Sequence, residues 1–340
     1  MGCAPSRPRV KDIHKEKPPP IQDITSDDGS FHNSQRSFCS FGSLIEQNGG
    51  IQIFEWEFGR EIGKGAMSRV YITTNVETGH QCAAKVYNKT KLLKPTLGSA
   101  EIPFDKVKWE IQIMAEVTHP NILPIDEVIE DDYSDSFILL MPLSTFGTLT
   151  NYKEELIAQK KTEDEIQLTM KLCFFQIASA LSHIHSNNIV HRDIKPDNIL
   201  VFSEDDFKLS DFSESTKLDN PDEKVVDTKG SPPFMSPEEL SGEIFDPKPA
   251  DVWAYGTSIY LMMFGLLPFG LNINQGRTIA NTVFTVTMLL EKNELELPAC
   301  DEDLGDLLTI LLQKDPTKRP TFEEVMRHAW FDDVRQHEPN

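Results

Sequence analysis

The sequence predicts a mixed α+β fold that begins with strands, and three observations carry that reading. Apolar side chains alternate at Phe54, Trp56 and Phe58, which suggests a first strand. Residues 82–86 read Cys-Ala-Ala-Lys-Val, an apolar strand with one lysine, Lys85. Val107, Ile111 and Met114 then recur at helical spacing. Of the 340 residues, about 290 follow a loose N-terminal tail, enough for two lobes with separate cores.

The chemistry is concentrated further along. Residues 191–198 read His-Arg-Asp-Ile-Lys-Pro-Asp-Asn, and residues 211–213 read Asp-Phe-Ser. Asp193, Lys195 and Asn198, followed by Asp211, bring together a proton acceptor, a phosphate clamp and two oxygen ligands for a metal. Phosphoryl transfer needs that set, because its transition state is mainly a matter of positioning and charge neutralisation. Nearer the start, Gly63 and Gly65 lie in a strand–turn–strand over residues 62–70, where glycine lets the backbone approach phosphates with no Cβ in the way. Residues 230–238 (Gly-Ser-Pro-Pro-Phe-Met-Ser-Pro-Glu), 251–256 (Asp-Val-Trp-Ala-Tyr-Gly) and 318–321 (Lys-Arg-Pro-Thr) complete the series.

These motifs, in this order, resemble the eukaryotic protein kinases. The resemblance implies an α+β bilobal fold: a small β-rich N-lobe with an αC helix over residues 51–143, and a larger, mainly helical C-lobe over 144–333. Residues 1–50 form a disordered tail in this reading, and 334–340 a short one. The cofactors implied are ATP and Mg²⁺. Ile62, Gly63, Gly65, Val70, Ala83 and Leu200 would enclose the nucleotide. Met141 and Leu143 would belong to the hinge over residues 138–144, and Lys85 would reach the phosphates and pair with Glu110 of the next helix. Glu116 and Glu101 compete for that last role, and the spacing to His119 favours Glu110. Asn198 and Asp211 would hold the metal with phosphate oxygens, a hard-cation set. Asp193 would orient the substrate hydroxyl, and Lys195 would neutralise charge on the γ-phosphate. Lys195 and Ser231 resemble the serine/threonine class, so protein Ser or Thr is the expected acceptor. Asp251 would hold the catalytic-loop backbone, and Arg319 would pair with Glu238.

Composition bounds the alternatives. The formal charge of −21 argues against nucleic acid as a partner. Five irregularly spaced cysteines, with no C-x-x-C pair, point to a reducing compartment. The best apolar run, residues 260–267, is too short to span a bilayer. Residues 1–20 nevertheless hold Arg7, Arg9, Lys11, Lys15 and Lys17 against Asp12 and Glu16. That basic island follows Met-Gly-Cys-Ala-Pro-Ser, which matches the N-myristoylation pattern at Gly2 with Cys3 beside it as a palmitoylation candidate. One acyl chain binds weakly and a second signal is needed, so the expectation is an acylated N-terminus on the inner leaflet, with a cytosolic pool. The bland alternative is an unmodified tail. Residues 18–50, rich in Pro, Ser, Asp, Asn and Gly, suit a linker, a phosphorylation target or a docking strip.

Several positions depart from the family pattern. Ser68 replaces the third loop glycine, Ser236 an alanine, and Ser213 the glycine of Asp-Phe-Gly. Serine at 213 is expected to restrict the segment's swing while sparing the metal ligands. Asp227 stands three residues before Gly230, where many kinases carry an activating phosphothreonine. It is expected either to pair with Arg192 and order the segment without phosphorylation, or simply to face solvent, with Thr228 remaining as a phosphosite. Residues 88–104 read as a surface insertion, and Thr148 stands where basophilic kinases keep an acid. Together these features resemble, more weakly, the calcium/calmodulin-dependent protein kinase kinase group, which activates other kinases. Only about ten residues follow an expected last helix at 322–330, so calmodulin control is not expected. An active kinase, a pseudokinase scaffold drawing on Ser68 and Ser213, and a membrane-tethered docking module are the three readings carried forward.

Overall fold

The structure, a computed structural model, describes residues 9–10, 51–65, 67–94, 103–130, 136–272 and 278–335. Gly2, Cys3, Glu101 and nearly all of the tail lie outside the described residues. The chain divides into two compact units, Met1–Asp105 with Ile125–Leu143, and Lys106–Pro124 with Ser144–Asn340.

The first unit is built on a sheet of seven strands: β1 (Arg9–Val10), β2 (Ile51–Ile53), β3 (Trp56–Lys64), β4 (Ser68–Asn75), β5 (Gln81–Asn88), β6 (Glu127–Glu130) and β7 (Ser136–Pro142). Their order is β1-β6-β7-β5-β4-β3-β2. Strand β7 reads Ser-Phe-Ile-Leu-Leu-Met-Pro and is buried from Ser136 to Met141, as a continuous apolar run in mid-sheet should be. Trp56, Phe58, Tyr71, Ala84, Ile138 and Leu140 form the core on one face of the sheet. The rings of Phe58 and Tyr71 meet edge to face at 6.4 Å.

Two expectations change here. The alternation over residues 54–58 is not one strand. Phe54 and Glu55 form the turn of the β2–β3 hairpin, which pairs Ile53 with Trp56, and Phe54 takes a φ of +52°. A two-residue hairpin needs positive φ, and an exposed aromatic supplies it where Asn or Gly is usual. Two residues of the expected disordered tail, Arg9–Val10, instead lie parallel to β6, opposite Glu127 and Val128. The unpaired backbone of an edge strand recruits extended chain whatever its side chains.

After β5, helix α1 (Lys89–Leu92) is capped by Asn88, whose side chain accepts from Lys91 N at 2.8 Å. Leu92 is 1% exposed, so this end of the expected surface insertion belongs to the core. Helix α2 (Pro103–Glu116) opens on a proline, two residues before the expected start, because proline's fixed φ suits the first helical position.

The second unit is mainly helical. It holds α3 (Leu149–Ala158), α4 (Glu163–Ser186), α5 (Pro237–Leu240), α6 (Pro247–Phe264), α7 (Ile279–Lys292), α8 (Glu302–Leu311), α9 (Phe322–Met326) and α10 (Asp332–Arg335). Small antiparallel pairings join β8 (Ile189–Val190) with β11 (Thr216–Lys217) and β9 (Ile199–Ser203) with β10 (Asp206–Leu209), and isolated antiparallel bridges join Val225 with Phe245 and Thr148 with Leu200. Helix α4 starts on a capping box, Thr162 with Glu165, and buries Phe174, Leu181 and Ile184 among others. Tyr255 of α6 donates to the Phe174 carbonyl at 2.8 Å while its ring meets Phe174 and Phe322 edge-on. Each ring buried in this way stabilises the unit by about 1.5–3 kcal/mol. Gly256 brings α6 against α8: a Cβ there would lie 2.8 Å from Leu311 Cβ. The expected helix over 322–330 breaks after Met326. His328 caps a new short turn by accepting from Trp330 N at 3.2 Å, and the break turns Trp330 and Phe331 inward, 3% and 0% exposed.

Candidate active site

In the first unit, the residues expected to enclose the nucleotide lie on adjoining strands. Ile62 and Gly63 lie near the end of β3, and the turn is closed by Gly65 N donating to Ser68 O at 2.9 Å. Ile62 is exposed, 41%, at the tip. Val70 on β4 stands opposite both Gly63 and Lys85, and Lys85 on β5 stands opposite Leu139 on β7. Ala83 pairs with Met141, and Leu143 directly follows β7. The Lys85 ammonium lies 5.6 Å from the Tyr87 ring centre.

The second unit carries Glu110, Asp193, Lys195, Asn198, Leu200 and Asp211. Glu110 is buried on α2. Asp193, Lys195 and Asn198 come together in one hydrogen-bonded cluster. Lys195 Nζ donates to Asp193 Oδ2 at 2.6 Å and to Ser231 Oγ at 2.8 Å. Ser231 Oγ donates in turn to Asp193 Oδ1 at 2.9 Å. Asn198 Nδ2 donates to the Asp193 carbonyl and to Oδ2, at 2.7 and 3.0 Å. That use of Nδ2 turns the side-chain oxygen of Asn198 away from Asp193, which suits a cation ligand. Asn198 O accepts from Ser210 N and Oγ, at 2.8 and 2.9 Å, so the neighbour of Asp211 is tied to the loop end. Leu200 is on β9, half-buried and bridged to Thr148.

The catalytic loop is held from beneath by Asp251 on α6. Its Oδ2 accepts from His191 N and its Oδ1 from Arg192 N, both at 2.8 Å, and His185 Nε2 lies 2.8 Å from Oδ2. These contacts matter because Arg192 has a φ of +67°, in the left-handed region. Burial pushes the Asp251 carboxyl up, yet the hydrogen bond and charge of His185, with the backbone hydrogen bond from His191, hold it below the usual carboxylate range. His191 Nδ1 accepts from Asp193 N at 3.3 Å and its Nε2 lies 3.1 Å from Ser210 O, which places the ring proton on Nε2.

Asp211 adopts φ +60°, ψ +73°, and residues Phe212–Glu214 follow as a short 3₁₀ turn. Phe212 is fully buried, its ring 4.9 Å from that of His191. Ser213 is not among the positive-φ residues. A serine therefore fits here without strain, and Asn198 and Asp211, the residues expected to hold the metal, are unaltered. Further on, Gly230 takes φ +90°, and a Cβ there would lie 2.3 Å from the Arg192 carbonyl oxygen. Glycine is required because the segment lies directly on the catalytic loop.

The pairing of Asp227 with Arg192 is made. Arg192 Nη1 reaches Asp227 Oδ1 at 2.7 Å, Nη2 donates to the Asp227 carbonyl, and Lys229 Nζ is 3.2 Å from Oδ2. Burial raises the Asp227 carboxyl, but Arg192 and then Lys229 outweigh it and leave it below its ordinary value. Thr228 Oγ1 donates to Glu239 O at 3.0 Å. The expected Glu238–Arg319 pair is bidentate, at 2.5 and 2.8 Å, with the arginine side chain fully buried. Thr148 is the N-cap of α3, accepting from Asn151 N at 3.3 Å.

Sequence reasoning missed two participants, His185 beneath Asp251 and Glu239 beneath Thr228. A single histidine near a helix end carries no sequence signal. The Ser236–Glu239 spacing is a capping-box pattern and was there to be read.

Residues 56–331 match the family model described as protein kinase domain. Among curated proteins, the SNF-related serine/threonine-protein kinase of Rattus norvegicus is 31% identical over 82% of this chain and 34% of its own length. Serine/threonine-protein kinase GRIK1 of Arabidopsis thaliana is 29% identical, over 84% of this chain and 69% of its own. CBL-interacting protein kinase 10 of Oryza sativa subsp. japonica is 30% identical, over 85% and 59%. The chain thus spans about a third to two thirds of the length of these relatives.

Proposed function

The chain belongs to the protein kinase family, in its serine/threonine class, and from that premise we propose that it transfers the γ-phosphate of Mg·ATP to Ser or Thr hydroxyls of protein substrates. The observation that carries this is the Asp193 cluster: a carboxylate fixed by Lys195 and Asn198, with a serine hydroxyl already donating to its Oδ1. An acceptor hydroxyl entering beside Ser231 meets a carboxylate oriented to take its proton. Lys195 then supplies positive charge where the transferred group gathers negative charge. Asn198 and Asp211 would hold Mg²⁺, which supplies charge neutralisation at the phosphates. The test is Mg·ATP-dependent ³²P incorporation into a generic basic protein, with Asp193→Asn as control. Signal in the native chain alone supports the enzyme. No signal in either supports the scaffold reading, which otherwise has little footing because Ser213 removes no ligand.

We further propose that the chain works at the cytoplasmic face of a membrane, held by acyl groups on Gly2 and Cys3 and by the basic island after them. No helix among the described residues is long and apolar enough to cross a bilayer. Intact mass of natively expressed protein tests this. Absence of acyl mass, with no shift in membrane fraction on Gly2→Ala, would end the idea. The finer reading, that its substrates are other kinases, draws on the Asp227-Thr228 pair and on Thr148 in place of an acid. A peptide-array profile set beside folded kinase domains tests it, since strong labelling of short basic peptides would contradict it.

The Arg192–Asp227 pair supports a segment ordered without phosphorylation. Asp227→Ala is expected to lower kcat of the unphosphorylated chain by about tenfold, with a small change in stability, because half of the Asp227 side chain faces solvent. The check is turnover of phosphatase-treated protein. A native chain that is inactive until Thr228 is phosphorylated contradicts this.

A further inference from the structure

Ser236 stands where the family pattern has alanine, and its hydroxyl has a partner that explains it. Ser236 N and Oγ both donate to Glu239 Oε2, each at 3.0 Å. Glu239 is only 5% exposed, and its backbone carbonyl accepts from Thr228 Oγ1 at 3.0 Å. Its side chain shares a cavity of about 10 Å³, the size of one water, with Arg192, Asp193, Lys229, Ser231 and Asp251. Arg192 Nε, also buried, finds no acceptor among the described residues. A carboxyl is thus sealed beneath the segment that rests on the catalytic loop, bound to one end of that segment by side chain and to the other by backbone. Carboxylates are almost never buried unless paired, so its charge state must alter how firmly the segment sits.

We propose that Glu239 is a positioning residue for phosphoryl transfer: its neutral form lets residues 228–236 close over it against Arg192 and Asp193, and its carboxylate form, better served by water, loosens that seat. This rests on the proposed kinase activity and adds a control to it. The groups that face Glu239 can be named element by element. The catalytic loop presents Arg192 and Asp193, α6 presents Asp251, and the segment itself presents Lys229, with Asp227 bound to Arg192. Helix α7, which packs on α5, carries no charged residue from Ile279 to Leu290. Burial raises the Glu239 carboxyl to about 7, with Asp251 adding to the rise, against the Ser236 hydrogen bonds and the charge of Arg192. The carboxyl therefore changes charge near neutral pH.

The experiment compares the full chain with Glu239→Gln and Ser236→Ala between pH 5.5 and 9, using Mg·ATP and a generic basic protein. Native kcat is expected to fall at least about fivefold as pH rises through 7, while E239Q stays flat at the native low-pH level. S236A, lacking one donor to the carboxylate, is expected to move the midpoint to higher pH. Stability should run the same way. A raised folded-state pKa contributes stability that is fully present below the unfolded value of 4.5 and lost as pH rises through about 7, so E239Q should melt at a higher temperature than the native chain at pH 8. A merely structural role predicts that melting change together with an unaltered pH–kcat profile, and that result overturns the inference. Hydrogen exchange of residues 228–236 reads the seat without turnover, when taken as the ratio of native to E239Q at each pH so that intrinsic rates cancel. A ratio that changes across pH 7 without any phosphate transfer defeats the kinase reading alone. A flat ratio alongside measurable transfer defeats this proposal alone.

Discussion

Asp193→Asn is expected to leave the fold intact and lower kcat by about 10³-fold or more. The side chains are the same size, and Asp193 is only partly buried, so packing is undisturbed. What changes is charge and donor direction. Asp193 Oδ2 accepts from both Lys195 and Asn198, and Oδ1 accepts from Ser231. An amide nitrogen at either position faces a donor, so one of these hydrogen bonds must break, and the acceptor for the substrate proton is lost. Removal of a positioned base costs 10²- to 10⁴-fold by itself, and misplacement of Lys195 adds to it. Nucleotide binding should survive in the main, since Val70, Ala83 and Lys85, assigned to the nucleotide, lie on β4 and β5 outside this cluster. The check combines steady-state turnover, calorimetric titration with Mg·ATP and circular dichroism. Activity within tenfold of the native chain would remove Asp193 from the reaction.

Asp251→Ala is expected to give the largest loss of stability, about 3–5 kcal/mol, with turnover lost as well. The deletion strands two buried backbone N–H groups, those of His191 and Arg192, at about 1–3 kcal/mol each. It also leaves the positive φ of Arg192 without the contacts that hold it. Asp251→Asn keeps one oxygen acceptor and should fall between. The pH dependence has a definite sign. Because the folded pKa is depressed, the carboxylate's contribution is present above its unfolded value of 3.8 and lost as pH falls through the lower folded value. Denaturant unfolding of both variants measures this. A D251A chain as stable and active as the native one would mean that the loop is held by something else.

Much of the site was legible because its residues are contiguous. Residues 191–198 place the candidate base, charge and ligand in one loop, so their spacing alone suggested those roles. Pairs far apart in sequence, Arg319 with Glu238 and Asp251 with the loop backbone, were legible only through the resemblance. Other features had competing local causes. Phe54 continues an alternating pattern, and only the hairpin geometry turns it outward. The final helix breaks after Met326 because burying Trp330 and Phe331 outweighs helix propensity. Arg9–Val10 found a place through backbone hydrogen bonding, which side-chain patterns do not report. Glu239 was hidden because a carboxylate beside Pro-Glu reads as an exposed helix cap until burial is known.

The bidentate grip of Arg319 on Glu238 has a consequence for how the protein is made. The two residues are 81 apart in sequence, and the arginine comes second. On a ribosome, the loop with Asp193 and the segment ending at Glu238 therefore emerge well before their clasp is synthesised. A partly translated chain carries every reactive group but lacks the brace that closes them into working order.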